Sequence, residues 1–253
     1  MAMYEEIGRL LKLENSPVAI CLEEEQSSSR KRFMGYAPAS CSFWRLGIDS
    51  AFYTLDSDHN CSIGKVTHGF RSADEVKEND DVRLLTSIGW ISMDEISKLP
   101  RLPKSMVISY ISVDKLKGEG SRGEGEVVAV KGRGKEERRV GGERRGGEVM
   151  PNIALITFFC NAEQVMLVVD AAERAGIEYR IRSRPTCAIL AEAYSIKGVV
   201  IGLGCTPSRL RTPYSTNDLF VAVHPSIVDR LVEHLSQVVK VEEFLCANKA
   251  MLV

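Results

Sequence analysis

The sequence predicts an α/β or α+β protein in which helices flank a mixed β-sheet. In the second half of the chain, short apolar runs of strand length alternate with longer amphipathic runs, an order typical of such folds. Hydrophobic residues make up 44% and charged residues 26% of the 253 residues, as in globular proteins with a sizeable core. A glycine- and charge-rich stretch in the middle separates two halves that each contain two similarly spaced cysteines.

In the first half, the apolar periodicity predicts three regions of helix and two strands. The predicted elements are a helix over 3–13, a strand over 18–22, a helix over 41–55, two short helices within 73–99 and a strand over 106–111. Gly47 weakens the helix prediction over 41–55, because glycine is unfavourable inside a helix. Residues 23–32 are polar and charged, which favours a solvated loop.

The second half is more regular. The predicted strands are 153–159, 177–181, 198–203 and 219–223, and the predicted helices are 162–175, 187–194, 225–238 and 240–249. Asn161 is expected to cap the helix that follows it, and Gly176 to end that helix.

The position of the glycine- and charge-rich stretch predicts that the chain has three parts. They are an N-terminal half over 1–117, a flexible insertion or linker over 118–149, and a C-terminal half over 150–253. The insertion holds ten of the twenty glycines, eight basic and seven acidic residues, and no aromatic residue. Such a segment buries too little apolar surface to offset its ordering entropy. Gly118, Gly120 and Gly123 match the dinucleotide-binding motif in letters, but the strand and helix that this motif requires are not predicted around them.

Charge and hydropathy exclude several functional classes. A net charge of −1 argues against a nucleic-acid binder. No apolar run approaches the roughly 20 residues of a membrane span, and the N-terminus lacks the pattern of a secretory signal. We therefore expect a cytoplasmic protein.

The cysteines are the clearest chemical signal. In a reducing cytoplasm, seven cysteines predict buried small side chains, metal or cluster ligands, or redox thiols, and not a disulfide framework. Four of them form two similar pairs: 19 residues separate Cys41 from Cys61, and 17 separate Cys187 from Cys205. Each pair begins at a predicted helix start and ends beside small residues, as a weak internal repeat would.

This repeat predicts two half-domains that each present two thiols to a shared site. Four thiolates would suit zinc or an iron–sulfur cluster, although the compact CxxC spacing of many such sites is missing. A helix N-terminus is expected to lower the pKa of a thiol at Cys41 or Cys187. The alternative is that all four are buried, inert cysteines. His59 and His68 flank Cys61 as candidate ligands or proton carriers, with solvated turn residues as the alternative.

Arginines bracket the second cysteine pair. Arg180, Arg182 and Arg184 alternate, so on a strand they would share one face, and Arg209 follows Cys205 closely. We expect Arg182, Arg184 and Arg209 to bind an anionic ligand or to stabilise an anionic cluster. The alternative is a solvated strand face neutralised by nearby glutamates.

Several segments resemble domain of unknown function family number 169, an archaeal cysteine-rich family. The resemblance is carried by Asn15-Ser-Pro17 after the first helix, Cys41 with its helix, Cys61-Ser-Ile-Gly64, Phe159-Cys-Asn161, Cys187-Ala188, Leu203-Gly-Cys205 and Asp218-Leu-Phe220. It covers most of the chain except 118–149. The resemblance implies no known activity, but the cysteine pattern of the family falls on Cys41, Cys61, Cys187 and Cys205.

Three functional hypotheses follow. The first is a redox or electron-transfer protein whose four cysteines hold an iron–sulfur cluster, 4Fe–4S in preference to zinc, and which works with a redox partner protein. The second is a non-catalytic binder of a small anionic metabolite at an arginine-lined cleft. The third is a dithiol redox protein in which Cys41 pairs with Cys61, or Cys187 with Cys205.

Overall fold

The structure is a computed structural model that describes residues 2–24, 30–116, 152–212, 215 and 217–248. Its strands are β1 (Val18–Glu23), β2 (Lys31–Arg32), β3 (Phe52–Thr54), β4 (Val107–Ser112), β5 (Ile153–Cys160), β6 (Tyr179–Arg182), β7 (Val199–Gly202) and β8 (Leu219–Val223). Its α-helices are α1 (Ala2–Leu11), α2 (Ser42–Asp49), α3 (Ser62–Thr67), α4 (Ala73–Val76), α5 (Asp80–Ser87), α6 (Met93–Ser97), α7 (Val113–Leu116), α8 (Ala162–Arg174), α9 (Ala188–Ile196), α10 (Thr206–Arg211) and α11 (Val228–Ala247). Two short 3-10 helices cover Asp56–Asp58 and Pro225–Ile227.

All eight strands belong to one mixed sheet with the order β2-β3-β4-β1-β5-β8-β7-β6. The predicted class, a mixed sheet flanked by helices, is therefore confirmed. The two halves meet at the centre of the sheet, where β1 and β5 pair antiparallel, with Val18 opposite Thr157 and Ile20 opposite Leu155.

The two halves of the sheet repeat one topology about this centre. The order β2-β3-β4-β1 in the first half is matched by β6-β7-β8-β5 in the second. In both halves the outermost pair of strands is parallel and the next two pairs are antiparallel. The sheet is thus built from two halves with the same strand order and the same pattern of parallel and antiparallel pairs.

Helices cover both faces of the sheet. On one face, α1, α8 and α11 bury an apolar core with alternate residues of the central strands. On the other face, α2 and α9 bury Phe43, Trp44, Ile189 and Leu190 against the remaining strand residues. Helices α3 to α6 form a third apolar cluster, which includes Cys187 and Ala188 from the second half.

Three helix predictions are wrong in detail. Residues 73–99 contain three short helices, α4, α5 and α6, where two are predicted. The run 41–55 is helical only over α2, and Phe52–Thr54 form β3, which pairs with β4. The predicted helices 225–238 and 240–249 are one continuous helix, α11. Helices α3 and α10, two six-residue helices that each begin after a cysteine, are not predicted.

The predicted insertion at 118–149, with its Gly118-Glu-Gly120 motif, lies outside the described residues. Among the helices that are described, none combines the length and the apolar character needed to cross a bilayer.

Candidate functional site

The four paired cysteines line one cavity. It has a volume of about 70 Å³ and its wall includes Cys41, Cys61, Cys187 and Cys205. We call it the cysteine cavity. The other three cysteines lie elsewhere: Cys21 and Cys160 are buried in the core on the α1, α8 and α11 face, and Cys246 is exposed on α11. None of the seven forms a disulfide bond.

The repeated strand topology places the four cysteines at equivalent positions of the two halves. Cys41 immediately precedes α2 and Cys187 precedes α9, the two long helices on the same face of the sheet. Cys61 precedes α3 and Cys205 precedes α10 in equivalent loops beyond β3 and β7. Each half therefore delivers one cysteine at a long helix and one at a short helix, and both pairs point to the junction between halves.

Burial divides the four cysteines into an inner and an outer pair. Cys41 is 3% exposed and Cys187 6% exposed, whereas Cys61 and Cys205 are half-buried. Leu84 of α5 also lines the cavity and is 60% exposed, so the cavity opens towards solvent on the α5 side. Other apolar lining residues, among them Ile63, Leu85 and Trp90, make the wall around the thiols mainly non-polar.

The inner thiols have raised pKa values, which is opposite to the prediction from their helix positions. Burial raises the pKa of Cys41, and the neighbouring Cys205 and Cys61 raise it further. Burial likewise raises the pKa of Cys187 well above the usual value, with Cys61 as the next cause. Loss of hydration outweighs the helix dipole here, because both side chains are almost completely enclosed. Both inner cysteines are therefore neutral thiols at pH 7 when nothing is bound.

Each inner thiol is also contacted by a threonine from the other half of the molecule. A hydrogen bond with Thr212, at the end of α10, lowers the pKa of Cys41 against the effect of burial. Thr67, at the end of α3, has the same effect on Cys187. The Thr212 hydroxyl is in addition 2.8 Å from Ser42 Oγ. Side chains of the two halves therefore contact each other at the cavity.

A hydroxyl residue precedes each inner cysteine, and the sequence interpretation missed both. Ser40 lines the cavity and its Oγ lies 2.9 Å from His59 Nδ1. Thr186 Oγ1 accepts a 2.6 Å hydrogen bond from the Cys205 N–H. The signal that could have revealed them is the shared Ser/Thr-Cys dipeptide at 40–41 and 186–187.

The two candidate histidines are buried and do not belong to the cavity wall. Thr54 Oγ1 donates to the Ile108 carbonyl oxygen, so it accepts from His59 Nε2–H, 3.0 Å away. His59 Nδ1 therefore accepts from Ser40. His68 Nδ1 lies 2.8 Å from the Gly64 carbonyl oxygen, to which it donates. Burial lowers the pKa of both rings, to about 4 for His68.

Backbone and carboxylate groups near the sulfurs already form hydrogen bonds within the protein. The Gly64 N–H donates to Cys61 Sγ at 3.4 Å, so one outer sulfur has a backbone donor. Glycine is required at this position, because an added Cβ would lie 2.0 Å from Ser40 Oγ. The Asp81 carboxylate also borders the cavity, and it accepts from the N–H and hydroxyl of Ser62 at 2.9 and 2.7 Å.

The three predicted anion-binding arginines do not converge. Arg182 Nε lies 2.5 Å from Glu192 Oε2. Arg184 places its guanidinium 5.6 Å from the centre of the Trp90 ring, on the wall of the cysteine cavity. Arg209 donates to backbone carbonyl oxygens, including that of Asp218 at 3.0 Å. Arg182 and Arg184 border a common surface groove, whereas Arg209 holds its own loop together.

Among the described residues, the side chains around the cavity are not arranged to hold a single metal ion. Four sulfurs of a tetrahedral zinc site would each lie about 2.3 Å from the metal and hence close together. Among the described residues, no three His, Cys, Asp or Glu side chains are grouped as a single ion requires. The cavity between the thiols instead has room for several water-sized units. Cysteine thiolates around such a space are the usual ligands of iron–sulfur clusters.

Comparisons of the chain with protein-family models, with curated proteins and with solved structures gave no match. The resemblance to family number 169 therefore stays a prediction.

Proposed function

We propose that the cysteine cavity holds a 4Fe–4S cluster ligated by Cys41, Cys61, Cys187 and Cys205, and that the protein transfers electrons. The observation that carries this proposal is that the four cysteines, two from each half, line one cavity. The other three cysteines lie outside it, which makes a chance assembly of buried thiols a weaker explanation.

The chain's own residues would serve such a cluster in three ways. The inner cysteines and the apolar wall exclude water from it. The Gly64 N–H donates to the Cys61 sulfur and Thr212 forms a hydrogen bond with Cys41, contacts of the kind that adjust cluster reduction potentials. The half-buried Cys61 and Cys205 lie nearer the open side, where a redox partner protein would exchange electrons. When bound, the cluster would supply one-electron chemistry.

The competing hypotheses have less support. An anion site formed by Arg182, Arg184 and Arg209 lacks a common centre, because Glu192 and backbone carbonyls already engage two of them. A zinc site would need three or four metal-ligating side chains around one point, and no such group is found among the described residues.

Anaerobic purification and reconstitution test the proposal. We expect about four iron ions and four sulfides per chain, with visible absorbance from the cluster. Cys41→Ala should abolish iron binding. Cys160→Ala is the matched control, since Cys160 is equally buried, at 2% against 3% exposure, but lies outside the cavity.

Three outcomes would contradict the proposal. A wild-type protein that stays colourless and iron-free after reconstitution excludes the cluster. Equal iron content in Cys41→Ala and Cys160→Ala places the iron elsewhere. Tight binding of one zinc ion, with no iron, assigns the thiols to zinc.

A further inference from the structure

Strand β6 ends the sheet, and one of its edges is unpaired among the described strands. Two hydrogen bonds show which backbone groups of β6 face β7. The Val199 N–H donates to Glu178 O at 3.0 Å, and the Leu203 N–H donates to Arg182 O at 2.9 Å. Backbone groups of alternate residues in a strand point to opposite sides. The N–H and C=O groups of Tyr179 and Ile181 therefore face outward, away from β7.

The side chains of β6 make one face of this edge charged and the other apolar. Arg180 and Arg182 lie on one face, where both contact the Glu192 carboxylate of α9, and Arg180 also pairs with Glu178 at 2.6 Å. On the opposite face, Ile181 is 60% exposed. Arg184 follows the strand, and a depression of about 460 Å³ along the edge is bordered by three guanidiniums and one carboxylate.

We propose that β6 is a docking edge for an extended acidic peptide segment of a partner protein, which adds to the sheet as a further strand. Outward N–H and C=O groups supply the main-chain hydrogen bonds of such strand addition. A peptide that alternates acidic and apolar residues matches both faces, its carboxylates facing Arg184 and its apolar side chains covering Ile181, while Glu178 and Glu192 stay paired with Arg180 and Arg182.

Charge selects this occupant over two others. A second copy of the chain, paired through its own β6, would bring a second Arg184 to the same face, while its Glu178 and Glu192 are already paired with arginines, which is unfavourable. A nucleic acid would use the arginines but would leave the backbone edge and Ile181 without partners. The inference does not depend on what the cysteine cavity binds.

The test is binding of a fluorescent peptide of eight residues that alternates glutamate and valine, measured by anisotropy with the full chain. Saturable binding is expected. Ile181→Pro removes one outward N–H, which an edge strand tolerates, and should weaken binding about tenfold. The matched control Ile181→Val should bind like wild type.

A second variant keeps the test independent of proline effects. Arg184→Glu should weaken binding of the acidic peptide roughly two- to fivefold and strengthen binding of the corresponding lysine–valine peptide. The proposal is overturned if the acidic peptide does not bind, if Ile181→Pro binds it like wild type, or if an oligonucleotide binds the edge more tightly than the peptide.

Discussion

At the scale of single residues, burial decides the chemistry of the site. Cys41 and Cys187 begin helices, and this position alone would favour their thiolates. Enclosure in an apolar wall has the opposite and larger effect, so both thiol pKa values are raised. Any metal group bound there must displace these protons, so loading of the site is expected to improve as pH rises.

The same reasoning predicts how stability depends on pH at His68. Its folded-state pKa is lowered to about 4, so it stays neutral while the unfolded chain takes up a proton below about 6.5. Stability is therefore intact above pH 6.5 and is lost as pH falls towards 4, by up to roughly 1.4 kcal/mol per pH unit from this residue. Urea unfolding of the metal-free protein between pH 7 and pH 4 measures the loss.

The control for this measurement is His68→Gln, which can still donate to the Gly64 carbonyl oxygen. The variant should lose less stability than wild type over the same pH range. Parallel stability curves for the two proteins would show that His68 is not the group responsible.

At the scale of elements, a helix with local capping residues is predictable from the sequence, whereas a strand defined by distant pairing is not. Helix α8 was predicted to within a residue, because Asn161 and Gln164 form a reciprocal cap and Gly176 adopts a positive φ after the helix. Strand β3 was missed, because its three residues are fixed by pairing with β4, more than 50 residues away. In α11, core contact ends at Val239 while the helix continues with an exposed Phe244, so the apolar pattern suggested two helices.

The short helix α3 gives the sharpest prediction at this scale. Gly64→Ala should destabilise the protein by about 1–3 kcal/mol, because the new Cβ would meet Ser40 Oγ and disturb its bond to His59. Gly8→Ala is the control. It lies inside α1, where the nearest atom, Pro17 Cδ, is 3.4 Å from the added Cβ, so a gain of about 0.5–1 kcal/mol is expected. Thermal unfolding compares the two. A Gly64→Ala protein as stable as Gly8→Ala would refute the close contact.

At the scale of the whole molecule, the two halves form one structure. Strands β1 and β5 join them at the centre of the sheet, and threonines of each half contact an inner cysteine of the other. The paired cysteine spacing predicts a repeat, and the equivalent strand order of the two halves agrees with it. The positions of the arginines were not predictable, since strand alternation says nothing about the carboxylates and carbonyls that engage Arg182 and Arg209.

This arrangement predicts that a cut chain stays together. A specific protease site introduced between residues 130 and 140 would allow cleavage between the halves. After cleavage, the two fragments should co-elute in size-exclusion chromatography, because the central strand pairing and the shared cores persist. Fragments that separate under native conditions would mean that the halves are independent domains.

The central claim is that two cysteines from each half bind one iron–sulfur group between them. The most direct measurement is an anomalous difference map, recorded at the iron absorption edge, from crystals of the anaerobically reconstituted protein. We predict one compact iron feature inside the cysteine cavity, within bonding distance of the sulfurs of Cys41, Cys61, Cys187 and Cys205. A cavity without iron, or iron bound at another position, would contradict the account.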